Sequence, residues 1–129
     1  MRDACYEVNS ELETRNSKLE KMRQTQITIN VELDENHVPE KMTWNAPDGG
    51  ISHEETKAML LSVWDDKSKE ALRIDLWTKD MTQDDMKRFF HQILISMSSS
   101  YQRATDEEEV SQRIAAFAEE FAVASKIKG

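Results

Sequence analysis

The hydrophobic pattern changes period once along the chain, and that change limits the fold more than any other feature. Before Asp80 the apolar residues alternate, as in strands. From Thr82 they recur every three to four residues, as on a helix face. "TQITINVELD" (Thr25–Asp34) sets Ile27, Ile29, Val31 and Leu33 on one side and Thr28, Asn30, Glu32 and Asp34 on the other, the pattern of a half-buried strand. A turn at Asp34–His37 leads into a second strand over about 38–45, with Val38, Met42 and Trp44 on one face. Pro39 has no N–H to donate, so this strand is expected to be short or at a sheet edge. Pro47-Asp48-Gly49-Gly50 then breaks the chain.

Lys57–Asp80 reads as a hairpin, with strands over about 57–65 and 70–79 around the polar loop Asp65–Glu70. In its first strand Met59, Leu61 and Val63 share one face, and Ala58, Leu60 and Trp64 share the other. Both faces are apolar, so cover on both sides is expected. In the return strand Leu72, Ile74 and Leu76 alternate with Arg73, Asp75 and Trp77.

Two helices follow, over about 82–103 and 106–127. Thr82 is placed to cap the first, with Asp84 and Asp85 where the helix dipole favours acids. Met86, Phe89, Phe90, Ile93, Leu94, Met97 and Tyr101 form a broad stripe suited to lying on a sheet. "TDEE" (Thr105–Glu108) has the form of a capping box for the second helix. There Val110, Ile114, Phe117, Phe121 and Ala124 make a narrow, coiled-coil-like seam. The expected fold is α+β: a four-stranded antiparallel sheet followed by two C-terminal helices, ββββαα. Residues 25–129 are expected to form one domain, and 1–24 a polar arm, helical or disordered.

The net charge of −8 opposes non-specific attraction to nucleic acid or to an anionic membrane surface. The chain's one cysteine, Cys5, excludes an internal disulfide and fits a reducing compartment. No apolar run approaches the roughly 18 residues of a membrane span, and no charged n-region precedes an apolar h-region. A cytoplasmic protein without direct membrane insertion is expected.

Catalytic signals are weak. His37, His53 and His91 do not pair at metal-binding spacing. Asp65-Asp66, Asp84-Asp85 and Asp106–Glu109 are explained by a solvated loop and two helix N-termini. "PDGG" lacks the Lys-Ser/Thr of a phosphate loop, and Ser96–Ser100 contain no G-x-S-x-G elbow. No catalytic residue, metal or cofactor is expected. The tryptophans point instead to binding. Leu60, Trp64 and Trp77 share a hairpin face that needs a cover, as does the seam of Val110, Ile114, Phe117 and Phe121. These seven are the candidate partner-binding residues.

"VELDENHVPEKMTWNAPDGG", "KAMLLSVWD", "LRIDLWTKDM" and "MKRFFHQILISM" together resemble the gliding-motility protein GldC family of bacteria, from about Thr25 into the last helix. The resemblance implies an accessory protein of the gliding or envelope apparatus, with no enzymatic residues to carry over. The four-strand, two-helix order is also similar in topology to the export chaperone SecB, by analogy of fold alone. Three readings follow. The first is a non-enzymatic adaptor with protein partners, itself a homo-oligomer (dimer or tetramer). The second is a SecB-like holdase for unfolded envelope clients. The third is a small enzyme or ligand carrier using His91.

Overall fold

The structure, a computed structural model, describes residues 22–127. Of the expected N-terminal arm only 22–24 fall within it, exposed and without regular structure; the rest lies outside the described residues. The elements are β1 (Thr28–Leu33), β2 (Pro39–Ala46), a 3-10 turn (Pro47–Gly49), β3 (Ile51–Thr56), β4 (Ala58–Asp65), β5 (Glu70–Trp77), and then, in the numbering used here, α1 (Gln83–Thr105) and α2 (Glu108–Ala124). The class is α+β, antiparallel strands followed by two helices, as the change of period implies. The described residues form five strands in two sheets: β1-β2-β3, and the ribbon β4-β5.

Two expectations are corrected here. The added strand, β3, carries Ser52, His53, Glu54 and Glu55, all exposed, so it shows no apolar alternation. Main-chain pairing defines it, and side-chain patterning does not record that. β2 is neither short nor an edge. It has eight residues and is the central strand, because Pro39 stands at its first position, where a strand tolerates a missing donor.

The described chain divides into two compact units, residues 22–30 with 43–55 and residues 31–42 with 56–127. In the first, Asn45 on β2 reaches both neighbours. Its Nδ2 donates to Thr28 Oγ1 at 3.3 Å, and its Oδ1 accepts from the His53 N–H at 2.9 Å. That bond holds His53 at a φ of 50°, a left-handed conformation uncommon for a residue with a side chain. Asp48 pairs with Arg23 at 3.2 Å.

In the second unit, β4 and β5 pair in register from Ala58↔Trp77 to Asp65↔Glu70. Asp65 organises the loop: its Oδ2 accepts from the Ser68 N–H and hydroxyl, and its carbonyl accepts from the Lys69 N–H. α1 starts as expected, with Thr82 Oγ1 accepting from the Asp85 N–H at 3.1 Å. The capping box does not form. Thr105 remains the last residue of α1 with its hydroxyl turned back to Tyr101 O, Asp106 takes a left-handed φ of 62°, and Glu107 becomes the N-cap of α2 without a side-chain cap.

The two helices pack through small residues. Ser98 Oγ donates to Ser111 O at 2.8 Å, and Ser111 Oγ donates to Ser98 O at 2.7 Å. Both serines are buried, as is Ala118, about two turns beyond Ser111. Small side chains bring the helices close, and the reciprocal bonds satisfy the hydroxyls this buries. Among the described residues Met42 and Ala118 are the buried hydrophobic ones, and many larger apolar side chains remain exposed.

Candidate interaction site

The segment after β5 is tied to the rest of the second unit by several bonds. Thr78, 2% exposed, donates its N–H to Lys57 O at 2.9 Å and its hydroxyl to Asp80 Oδ1 at 2.6 Å. Asp80 Oδ2 takes the Lys57 ammonium at 2.6 Å. Between them Lys79 turns the other way. Its N–H donates to Pro39 O at 3.2 Å, and its ammonium reaches Asp34 Oδ2 at 2.7 Å. Asp34 Oδ1 accepts from the Asn36 and Val38 N–H groups, which closes the turn into β2 with His37 at a φ of 64°. The Lys79 hydrogen bond, helped by the Val38 N–H, holds the Asp34 carboxyl down at about 2, and Asp34 raises the Lys79 ammonium in return. Lys57, and then Thr78, lower the Asp80 carboxyl.

This corner is wiring, and it fixes where the ribbon sits relative to the β1–β2 turn. Side-chain pattern alone does not pair its residues. The signal was there, because extending the Ala58↔Trp77 register by one residue brings Lys57 opposite Thr78.

The register sorts the ribbon into two unlike faces. On one, Met59↔Leu76, Leu61↔Ile74 and Val63↔Leu72 stack three apolar pairs with no charge between them. Leu61, Val63, Leu72 and Ile74 are 39–55% exposed. On the other lie the sequence-expected Leu60, Trp64 and Trp77. Trp77 opposes Ala58 and Trp64 opposes Ala71, so the two indoles stand at opposite ends, about 20 Å apart for six residues of strand. Trp64 is 62% and Trp77 51% exposed, and Leu60 is half-buried. The Arg73–Asp75 ion pair, at 3.0 Å, divides them. Sequence expected the ribbon to be covered on both sides; in the structure both faces keep large exposed side chains. Beside Trp77 a shallow groove of about 240 Å³ is lined by His37, Val38, Pro39, Asp75 and Leu76.

The remaining candidates lie on α2. Ile114 and Phe121 are half-buried, whereas Val110 and Phe117 are 41% and 50% exposed. α2 therefore turns Ser111 and Ala118 to its neighbour, and the apolar seam opens to one side. Phe121 lines a groove with Met86 and Phe90 of α1, so the seam of α2 and the stripe of α1 share one open face of the helix pair. A second groove continues along Phe89, Ile93 and Met97. His91 lines neither groove, and its Nε2 is buried without a hydrogen-bond partner among the described residues. Among the described residues no group of three His, Cys, Asp or Glu side chains is arranged to hold a metal ion, and no helix is long and apolar enough to cross a membrane.

A family model described as gliding motility-associated protein GldC-like matches residues 39–127. The chain belongs to the GldC-like family. No curated protein and no solved structure matches it. The GldC-like match opens at Pro39, the first residue of β2, and runs past the end of α2. It takes in the Thr78–Asp80 corner, both ribbon faces and the open helix face, while β1 and the Asp34 turn precede it.

Proposed function

We propose that this GldC-like protein is a non-enzymatic adaptor of gliding or envelope machinery that holds a protein partner on the ribbon face carrying Leu60, Trp64 and Trp77. The observation that carries the reading is the pair of exposed tryptophans on one face. Tryptophan dominates binding energy at protein interfaces, and two such anchors with an ion pair between them suit a partner that is apolar at its ends and polar in the middle. The groove beside Trp77 extends the same site. Family membership supports the process, and the position of His91, away from both helix grooves, favours binding over catalysis. The reading assigns the protein to the cytoplasm, which its single cysteine supports.

The test is crosslinked capture from native cells with wild type and a Trp64→Ser/Trp77→Ser variant, both indoles being exposed enough for the fold to survive. A narrow set of envelope or motility proteins, lost in the variant, is expected. Capture unchanged by the variant would remove the face from the mechanism. A broad spread of unfolded or nascent chains would replace the adaptor with the holdase, a reading that the uncharged face on the other side of the ribbon also suits.

A further inference from the structure

The ribbon face opposite the tryptophans and the open face of the helix pair have matching properties. The first is Met59, Leu61, Val63, Leu72, Ile74 and Leu76, without a charged side chain except where Asp65 and Glu70 close its end. The second joins Phe90 and Met97 of α1, 41% and 50% exposed, to Val110 and Phe117 of α2 across the Met86–Phe90–Phe121 groove. An α-helix pair with one broad apolar face is the ordinary cover of a sheet with one apolar face. The dimensions agree. α1, with 23 residues, is about 34 Å long, and the eight-residue strands of the ribbon span about 26 Å. Yet among the described residues neither face is closed: Leu61, Val63, Leu72 and Ile74 on the ribbon and Phe90, Met97, Val110 and Phe117 on the helices all stay exposed. The corner at Thr78–Asp80, fastened to Lys57, Asp34 and Pro39, holds the short connection from β5 to α1.

We infer that the ribbon face is covered by the helix pair of a second copy of this chain, and its helix face by the ribbon of that copy, in a two-fold dimer. The arrangement is self-complementary, as a two-fold interface must be: each copy gives one ribbon and one helix pair, and both contacts form at once. Together the two faces expose on the order of 1,000 Å² of side chain per copy, so two contacts could bury up to about 2,000 Å², enough for the roughly 1,600 Å² of a standard stable interface. A single unrelated partner would have to supply both a sheet and a helical face to close the same area; a second copy supplies both. The face bearing Trp64 and Trp77 is left free, so this inference and the proposed function stand or fall separately.

The experiment uses the full chain. Sedimentation velocity is expected to give twice the 15.0 kDa chain mass, and Ile74→Glu or Phe117→Glu to weaken the dimer by about a hundredfold or more, since each buries a charge in an apolar contact. Circular dichroism reports whether each variant keeps its helices. A second readout does not depend on a disruptive substitution. In a Cys5→Ser background, Ile74→Cys and Phe117→Cys proteins are made separately, mixed and treated with a short bis-maleimide. Covalent joining of the two different proteins places a ribbon of one copy against the helices of another. A monomer at all concentrations would overturn the inference and leave both faces to another occupant, a different protein or the chain's own residues 1–21. A dimer that survives both charge substitutions and yields no mixed crosslink would overturn it too, because association would then use another surface.

Discussion

Asp34 carries more of the local structure than its place in a polar turn suggests. One carboxylate oxygen closes the turn through two N–H groups and the other meets Lys79. Folding lowers its pKa from 3.8 to about 2, so its contribution to stability is fully present above the ordinary value and is lost as the pH falls from about 3.8 towards 2. Asp34→Ala should therefore melt below wild type at neutral pH, and the gap in Tm should close across that acid window. A gap of constant size down to pH 2 would show that the ion pair is not its source. On the Lys79 side the sign is reversed: the raised ammonium supports the fold until the pH climbs through its elevated value. Sequence showed that Asp34 begins a turn, because Asp-Glu-Asn is strong turn chemistry. It did not show Lys79, because a partner brought from a distant turn leaves no local pattern.

Among the elements, those with regular side-chain periodicity were legible and those built on the backbone or on small residues were not. The alternation in β1, β4 and β5 and the stripe of α1 appear where expected. β3 escaped because its side chains face solvent. The contact stripe of α2 escaped because Ser111 and Ala118 do not register as apolar anchors, although they are what the helix buries. Two predictions belong here. Thr82→Ala removes the cap of α1 and should cost about 1 kcal/mol in urea unfolding. Ser98→Ala and Ser111→Ala should each cost about 1 kcal/mol, and the double variant should cost less than their sum, because the hydroxyls act as a pair. Strict additivity in that cycle would mean that the two bonds do not depend on each other.

For the whole molecule, alternation identified the two faces of the ribbon but not the cover of either, since periodicity reports which residues point together and not what lies above them. The proposed dimer would have consequences for ordinary solution behaviour. The thermal midpoint should rise with protein concentration, as it does when folding and association are linked. Each copy carries a net charge of −8, so the approach of two copies is repulsive and added salt should tighten the dimer by screening. Sedimentation across a salt series checks the direction, and a dimer loosened by salt would point to ion pairs at the interface instead of apolar faces.

The corner at Thr78–Asp80 also sets an order of events in folding. Lys79 and Asp34 stand 45 positions apart in the chain, 79 less 34, whereas Ser98 and Ser111 are separated by 13. Closing the longer loop costs about 1 kcal/mol more chain entropy, and it must draw β5 back to the start of β2. The helix pair, with its short-range contacts, is therefore expected to assemble first, and the corner to follow and set the direction in which the finished pair projects.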